Sequence, residues 1–202
     1  MKRIFIGGFL IAAMSLALVL SMAAGPVLAV NDGFKDVPET AWYHAYVMGL
    51  YERDIIKGYG TSGEFRPSNK LTREQTAKMI SISRGLATEG LKANFSDVDP
   101  DGEMSPYIAS LVLVGAIGGY PDGSFRPKNN IKRSHVSKIV ALAFDLDMGE
   151  ASVNLTDLPS DPVLADAIRI LASNGIVSGY KGTSLFKPDD EISRAEFSKI
   201  AF

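Results

Sequence analysis

A period near 60 residues runs through most of this 202-residue chain. Gly58-Tyr59 recurs at Gly119-Tyr120 and Gly179-Tyr180, and Asp36, Asp97 and Asp157 each precede their tyrosine by 23 positions. Phe65-Arg66-Pro67, Phe125-Arg126-Pro127 and Phe186-Lys187-Pro188 follow, and Arg73, Arg133 and Arg194 each lie eight positions past those phenylalanines. Spacing this regular means three copies of one supersecondary unit. A unit of about 55 residues is marginal by itself, so the copies must share a core. Such arrays present a recurring surface, which favours binding over catalysis.

Within each copy the apolar pattern predicts a helix, a turn-rich loop and a second helix. Trp42, Tyr46, Val47 and Leu50 mark one stripe; Tyr107, Ile108, Leu111 and Val112 the next; Leu164, Ala167, Ile168 and Leu171 the third. Thr40, Ser105-Pro106 and Asp161-Pro162 are the expected starts of these first helices. The Phe-x-Pro segment is expected to be extended before its proline. Second helices are expected to begin at Thr72, Lys132 and Ser193. Thr72 to Gln75 and Ser193 to Glu196 fit a capping box, whereas Lys132 has no side-chain acceptor. Phe65, Phe125 and Phe186 read as core. The expected architecture is mainly α.

The chain opens like an export signal: Lys2 and Arg3, an apolar run from Ile4 to Ala24, then Val27-Leu28-Ala29 as a cleavage site. The alternative is an uncleaved anchor, since a run of about 20 apolar residues can cross a bilayer. The absence of cysteine rules out a lipid-anchored cysteine and any disulfide. Removing residues 1–29, with Lys2 and Arg3, would leave 173 residues with 19 basic and 23 acidic side chains. That mildly acidic balance argues against a nucleic-acid partner.

The Phe-x-Asp-Val opening, Trp42, the Ile-x-Gly-Tyr turn, the Gly-x-Phe-x-Pro loop and a Thr-Arg-Ala-Glu-like helix start together resemble the S-layer homology domain family. The last motif stands here as Thr72-Arg73-Glu74-Gln75, Lys132-Arg133-Ser134-His135 and Ser193-Arg194-Ala195-Glu196. The resemblance covers residues 34 to 202 and divides the chain into a signal at 1–29 and repeats at 30–88, 89–148 and 149–202. It implies a pseudo-three-fold helical bundle that anchors an exported protein non-covalently at the cell wall or surface layer. The implied partner is a secondary cell-wall polysaccharide carrying pyruvate ketals, held in grooves between repeats, with Arg73, Arg133 and Arg194 meeting the carboxylate. No cofactor, metal or catalytic residue is implied.

Residue chemistry supports that expectation. A guanidinium matches a carboxylate with two parallel hydrogen bonds, and free amides at a helix N-terminus also favour an anion. Asp36, Asp97 and Asp157 could accept sugar hydroxyls, and Trp42, Tyr59, Tyr120 and Tyr180 could lie against a sugar face. Structural alternatives stand beside each: ion pairs between the arginines and aspartates, capping for the aspartates, core for Trp42, turn packing for the tyrosines. Gln75, His135 and Lys132 depart from the motif, so the second repeat is the most divergent. The last helix is expected to be short. Asp97 to Gly102 copies half of an EF-hand loop, but Ile108 at its twelfth position cannot ligate calcium. His44 and His135 sit far apart, and no nucleophile or phosphate-binding motif is present. Self-assembly into a surface lattice and, further off, a wall-glycan hydrolase are the competing functions.

Overall fold

A computed structural model describes residues 33–180 and 183–202; the expected signal segment lies outside them. The described chain is mainly α. Its six helices are α1 (His44–Glu52), α2 (Arg73–Arg84), α3 (Ser105–Leu113), α4 (Arg133–Ala143), α5 (Pro162–Ser173) and α6 (Arg194–Ala201), two per repeat. No helix among the described residues is long and apolar enough to cross a membrane.

The second helix of each repeat packs on the first helix of the next: α2 on α3, α4 on α5, and α6 back on α1. The contacts therefore run in a cycle. The segment before each second helix closes a smaller cycle inside it. Leu71 donates its amide to Ile192, Ile192 to Ile131, and Ile131 to Leu71, at 2.9 to 3.1 Å. Bridges pair Lys70 with Ser193, Thr72 with Asn130 and Lys132 with Glu191. Leu71, Ile131 and Ile192 are fully buried, so these backbone groups must satisfy one another. All three of these short extended pairings lie between repeats.

Phe65, Phe125 and Phe186 are buried, as expected, and join Val47, Leu50, Ile108, Leu111, Ile168 and Leu171 in one continuous core. Trp42 is not part of it. It precedes α1, is 54% exposed and meets Tyr43 edge-on at 5.4 Å.

Of the five side chains expected to cap a helix, three do so. Thr72 and Ser193 each complete a capping box, and the Asp161 carboxylate accepts from the Val163 and Leu164 amides. Thr40 does not cap α1, because consecutive turns, Ala41 to Pro38 and His44 to Ala41, carry the chain into the helix by backbone bonds. Ser105 is already helical, and its hydroxyl accepts the Ala93 amide at 2.8 Å instead of capping α3.

Lys132 holds the same extended backbone as the true caps (φ −76, ψ 152 against −83, 162 at Thr72) but offers no acceptor. Lys132→Thr is expected to raise stability by about 0.5–1 kcal/mol, even though it forfeits the exposed ion pair to Asp189. Urea midpoints check this; a fall in midpoint would mean that pair outweighs the cap.

Candidate functional site

Each opening aspartate builds the turn that the site stands on. Asp36 accepts from the Phe65 and Arg66 amides, both at 2.7 Å. Asp97 accepts from Phe125 and Arg126 at 2.7 and 2.8 Å, and Asp157 from Phe186 and Lys187 at 2.7 Å. The middle residue of each Phe-x-Pro is left-handed, with φ of 59° at Arg66, 57° at Arg126 and 59° at Lys187. That corrects the extended conformation expected there, and the two-pronged carboxylate is what holds a conformation disfavoured for residues with a β-carbon. The Phe125 and Arg126 amides keep the Asp97 carboxyl below its usual range, against the opposing effect of burial.

Glycine precedes each tyrosine for reasons of space. A β-carbon on Gly119 would lie 2.8 Å from the Ser124 carbonyl oxygen, and one on Gly58 2.9 Å from that of Glu64. The turn is closed there by Tyr59 donating to Glu64 and Tyr120 to Ser124.

The three arginines reach across repeat boundaries into these turns. Arg73 donates Nε to the Phe125 carbonyl at 2.9 Å and Nη2 to Gly118 at 3.0 Å. Arg194 does the same to Phe65 at 2.8 Å and Lys57 at 2.9 Å. Arg133 donates Nε to Phe186 at 3.0 Å. Each guanidinium lies against a tyrosine and a phenylalanine of the turn: Arg73 with Tyr120 and Phe125, Arg133 with Tyr180 and Phe186, Arg194 with Tyr59 and Phe65, at 4.4 to 5.1 Å. A second cation, Arg66, Arg126 or Lys187, lies against the same tyrosine. All three guanidinium-bearing residues are 7% exposed. Burial pulls the Arg194 and Arg73 guanidiniums below their ordinary range, though arginine stays charged.

Among the described residues no ion pair joins an arginine of this set to Asp36, Asp97 or Asp157. Asp97 exerts its field on Arg73, and Asp36 on Arg194, across the repeat boundary and not within one repeat. The first helical amides are also engaged: Arg73, Arg133 and Arg194 donate to Asn129, Asp190 and Asn69. The free helix N-termini expected beside the arginines are thus occupied by backbone of the neighbouring repeat.

Two clefts open over these arginines. One, of about 530 Å³, is lined by Ile56 to Tyr59, by Gln75, Lys78 and Met79 of α2, by Glu103 and Tyr107, and by Arg194. The other, of about 1010 Å³, is lined by Ile176 to Tyr180, by Glu196, Lys199 and Ile200 of α6, by Trp42 and Tyr46, and by Arg133. They are the same site in register, each formed from a turn, its own second helix, the next repeat's first helix and a third repeat's arginine. The lysine six residues past each helix cap, at Lys78, Lys138 and Lys199, was missed in the motif reading although it recurs in all three copies.

In the second repeat His135 takes the place of Gln75 and Glu196. Burial first, then Arg73, Lys132 and Lys138, push its imidazole below the ordinary value, with Asp189 opposing. The unfolded chain therefore binds the proton more readily. This group's contribution is whole above pH 6.5 and is lost as pH falls below it. His135→Gln is expected to flatten that acid limb of stability, read from urea midpoints across pH; a limb identical to wild type would contradict the burial of the imidazole.

A family model described as the S-layer homology domain matches residues 33–77, 94–136 and 154–198, and the chain belongs to this family. It is 28% identical over 190 residues to the S-layer protein sap of Bacillus anthracis, covering 91% of this chain and 23% of that protein. It is 30% identical over 156 residues to a cellulosome-anchoring protein of Acetivibrio thermocellus, covering 73% of this chain and 33% of that one. It is also 26% identical over 177 residues to an endoglucanase of Bacillus sp. (strain KSM-635), covering 83% of this chain and 18% of the enzyme. The chain thus spans 18 to 33% of the length of these relatives. The repeats are a cell-surface module of the anchoring or surface-layer type.

Proposed function

We propose that the chain holds an exported protein at the cell wall by binding a carboxylate-bearing wall polysaccharide, of the pyruvate-ketal type, in the grooves between repeats. The observation that carries this reading is a guanidinium in the floor of each cleft, flanked by a tyrosine and a helix lysine. Arg73, Arg133 and Arg194 supply the carboxylate partner, each already fixed at Nε by a turn carbonyl so that little order is lost on binding. Tyr59, Tyr120, Tyr180 and the exposed Trp42 supply sugar faces and hydroxyl partners. Asp36, Asp97 and Asp157 serve the site by holding the turns, their carboxylate oxygens being spent on backbone amides. Several grooves on one chain would raise avidity on a repeating polymer.

The proposal includes no catalysis by these repeats. Enzymatic relatives such as the endoglucanase share only this segment's length with the chain. The test is co-sedimentation of the protein with purified cell walls before and after mild acid removes ketals. Capture by untreated walls and its loss after treatment are expected; equal capture by both would overturn carboxylate recognition.

A second reading, self-association, draws on the consecutive exposed apolar residues Val112, Leu113 and Val114 at the end of α3. Concentration-dependent oligomers in sedimentation velocity without glycan would favour it.

A further inference from the structure

Arg73 marks a third groove in the same register, built by the Tyr120 turn, α4 and α5, and its charges differ from those of the two clefts. The third position of the second helix is Gln75 in one cleft and Glu196 in the other, and both side chains line their grooves. Gln75 is neutral and accepts the Thr72 amide. Glu196 reaches its arginine, with Oε1 3.5 Å from Arg133 Nη1. In the second repeat this position is His135, which is half-buried and whose imidazole makes no hydrogen bond among the described residues. A titratable ring thus stands on the groove side of α4 without an internal partner.

Positive charge around that ring is barely answered. Burial first, then Arg73 from the first repeat and Lys132 and Lys138 from α4 and its cap, disfavour the protonated imidazole; Asp189 of the third repeat favours it. Asp189 is already paired with Lys132 at 2.7 Å. On the turn, Arg126 lies against Tyr120 and takes Asp122 at 3.0 Å, while Asp97 is spent on two backbone amides. Glu74, next to Arg73, holds Lys128 at 2.6 Å. On α5, Asp161 caps the helix, Asp166 pairs with Arg169 at 2.6 Å, and the exposed Val163 stands where the Arg194 cleft has Glu103. Lys138 therefore lacks the carboxylate that its counterpart Lys78 finds in Glu103.

We infer that His135 is a ligand-binding residue of the Arg73 groove, its protonated imidazole joining the guanidinium on the carboxylate of a wall glycan. The inference rests on the glycan reading above. A carboxylate seated on Arg73 supplies the counter-charge that the groove lacks, and the imidazole then holds a proton more readily. Binding at this groove therefore takes up protons and tightens as pH falls, the gain being complete once the free imidazole is itself protonated. A neutral sugar covering the ring acts in the opposite sense, since lost hydration disfavours the charged imidazole. Neither Gln75 nor Glu196 gives such a response near neutral pH, so acidity adjusts one groove of the array and not the other two.

The test is proton NMR of the full chain, titrated with pH in the presence and absence of methyl N-acetylmannosaminide carrying a 4,6-pyruvate ketal. The chain has two histidines, and His44, which lines neither cleft, is the internal control. His135→Gln assigns the imidazole resonances, and the capping box of Gln75 shows that glutamine is accommodated at this helix position. Saturation with the ketal sugar should raise the His135 midpoint by about one pH unit and leave His44 unmoved. The ketal-free sugar should not raise it. Calorimetry near pH 6.5, the ordinary imidazole value, in buffers of different ionisation heat should show proton uptake by the wild type and its loss in His135→Gln. Heat of binding to the ketal sugar with a His135 midpoint that stays or falls overturns the assignment while sparing the glycan reading. No heat with the ketal sugar overturns both.

Discussion

Phe125→Ala is expected to lower the free energy of unfolding by about 3–5 kcal/mol, a large part of the roughly 5–15 kcal/mol typical of a domain. The ring is fully buried, tilts against Phe95 at 5.3 Å and carries the Arg73 guanidinium at 4.6 Å on its face. Removing it leaves a cavity in the second repeat and takes the support from a side chain belonging to the first. The residue's own amide and carbonyl are the partners of Asp97 and Arg73, so the turn loosens with the core. Urea unfolding followed by circular dichroism should show a lower midpoint at an unchanged slope. Because Phe65 and Phe186 occupy the same surroundings, their alanine variants should lose a similar amount. A loss under about 1 kcal/mol would mean that the core refills the space, contrary to the near-complete burial seen here.

Arg194→Lys should be the most damaging charge-conserving change. Lysine cannot place two donors on the Phe65 and Lys57 carbonyls at once, nor lie flat between Tyr59 and Phe65. With buried carbonyls left unpaired, the expected loss of stability is about 2–3 kcal/mol. Capture by untreated walls should fall at least tenfold under conditions where circular dichroism shows the variant folded. Unchanged capture would show that recognition needs only a positive charge and not the planar fork.

The repeat, the helix pairs and the three buried phenylalanines were legible from the sequence because each is carried by local spacing. Capping at Thr72 and Ser193 was legible for the same reason. What escaped depends on neighbours far along the chain. Nothing near Arg73 says that its amide and guanidinium are taken by residues of the next repeat. Nothing near Ser105 says that its hydroxyl serves Ala93. The left-handed residue within Phe-x-Pro was misread because the proline rule speaks only for an unsupported chain, whereas Asp36 and its counterparts hold both amides from about 30 residues away. Trp42 followed the apolar stripe in register, but the helix begins two residues later and leaves it outside. The groove lysines could have been found by the rule that revealed the arginines, strict recurrence at one offset.

The cycle of backbone bonds among Leu71, Ile131 and Ile192 has a consequence in time. In an open array neighbours meet early and the structure can spread from any point. Here α6 must find α1 across more than 140 positions of sequence, and that encounter orders chain that has little to gain until it succeeds. Closing a longer loop costs only a slowly rising entropy, about 0.6 kcal/mol per doubling, yet long-range pairing is what slows small domains. The meeting of the first and third repeats is therefore expected to come late in folding, and it also assembles the groove between Trp42 and Glu196. Until a nascent chain has released α6, that groove does not exist.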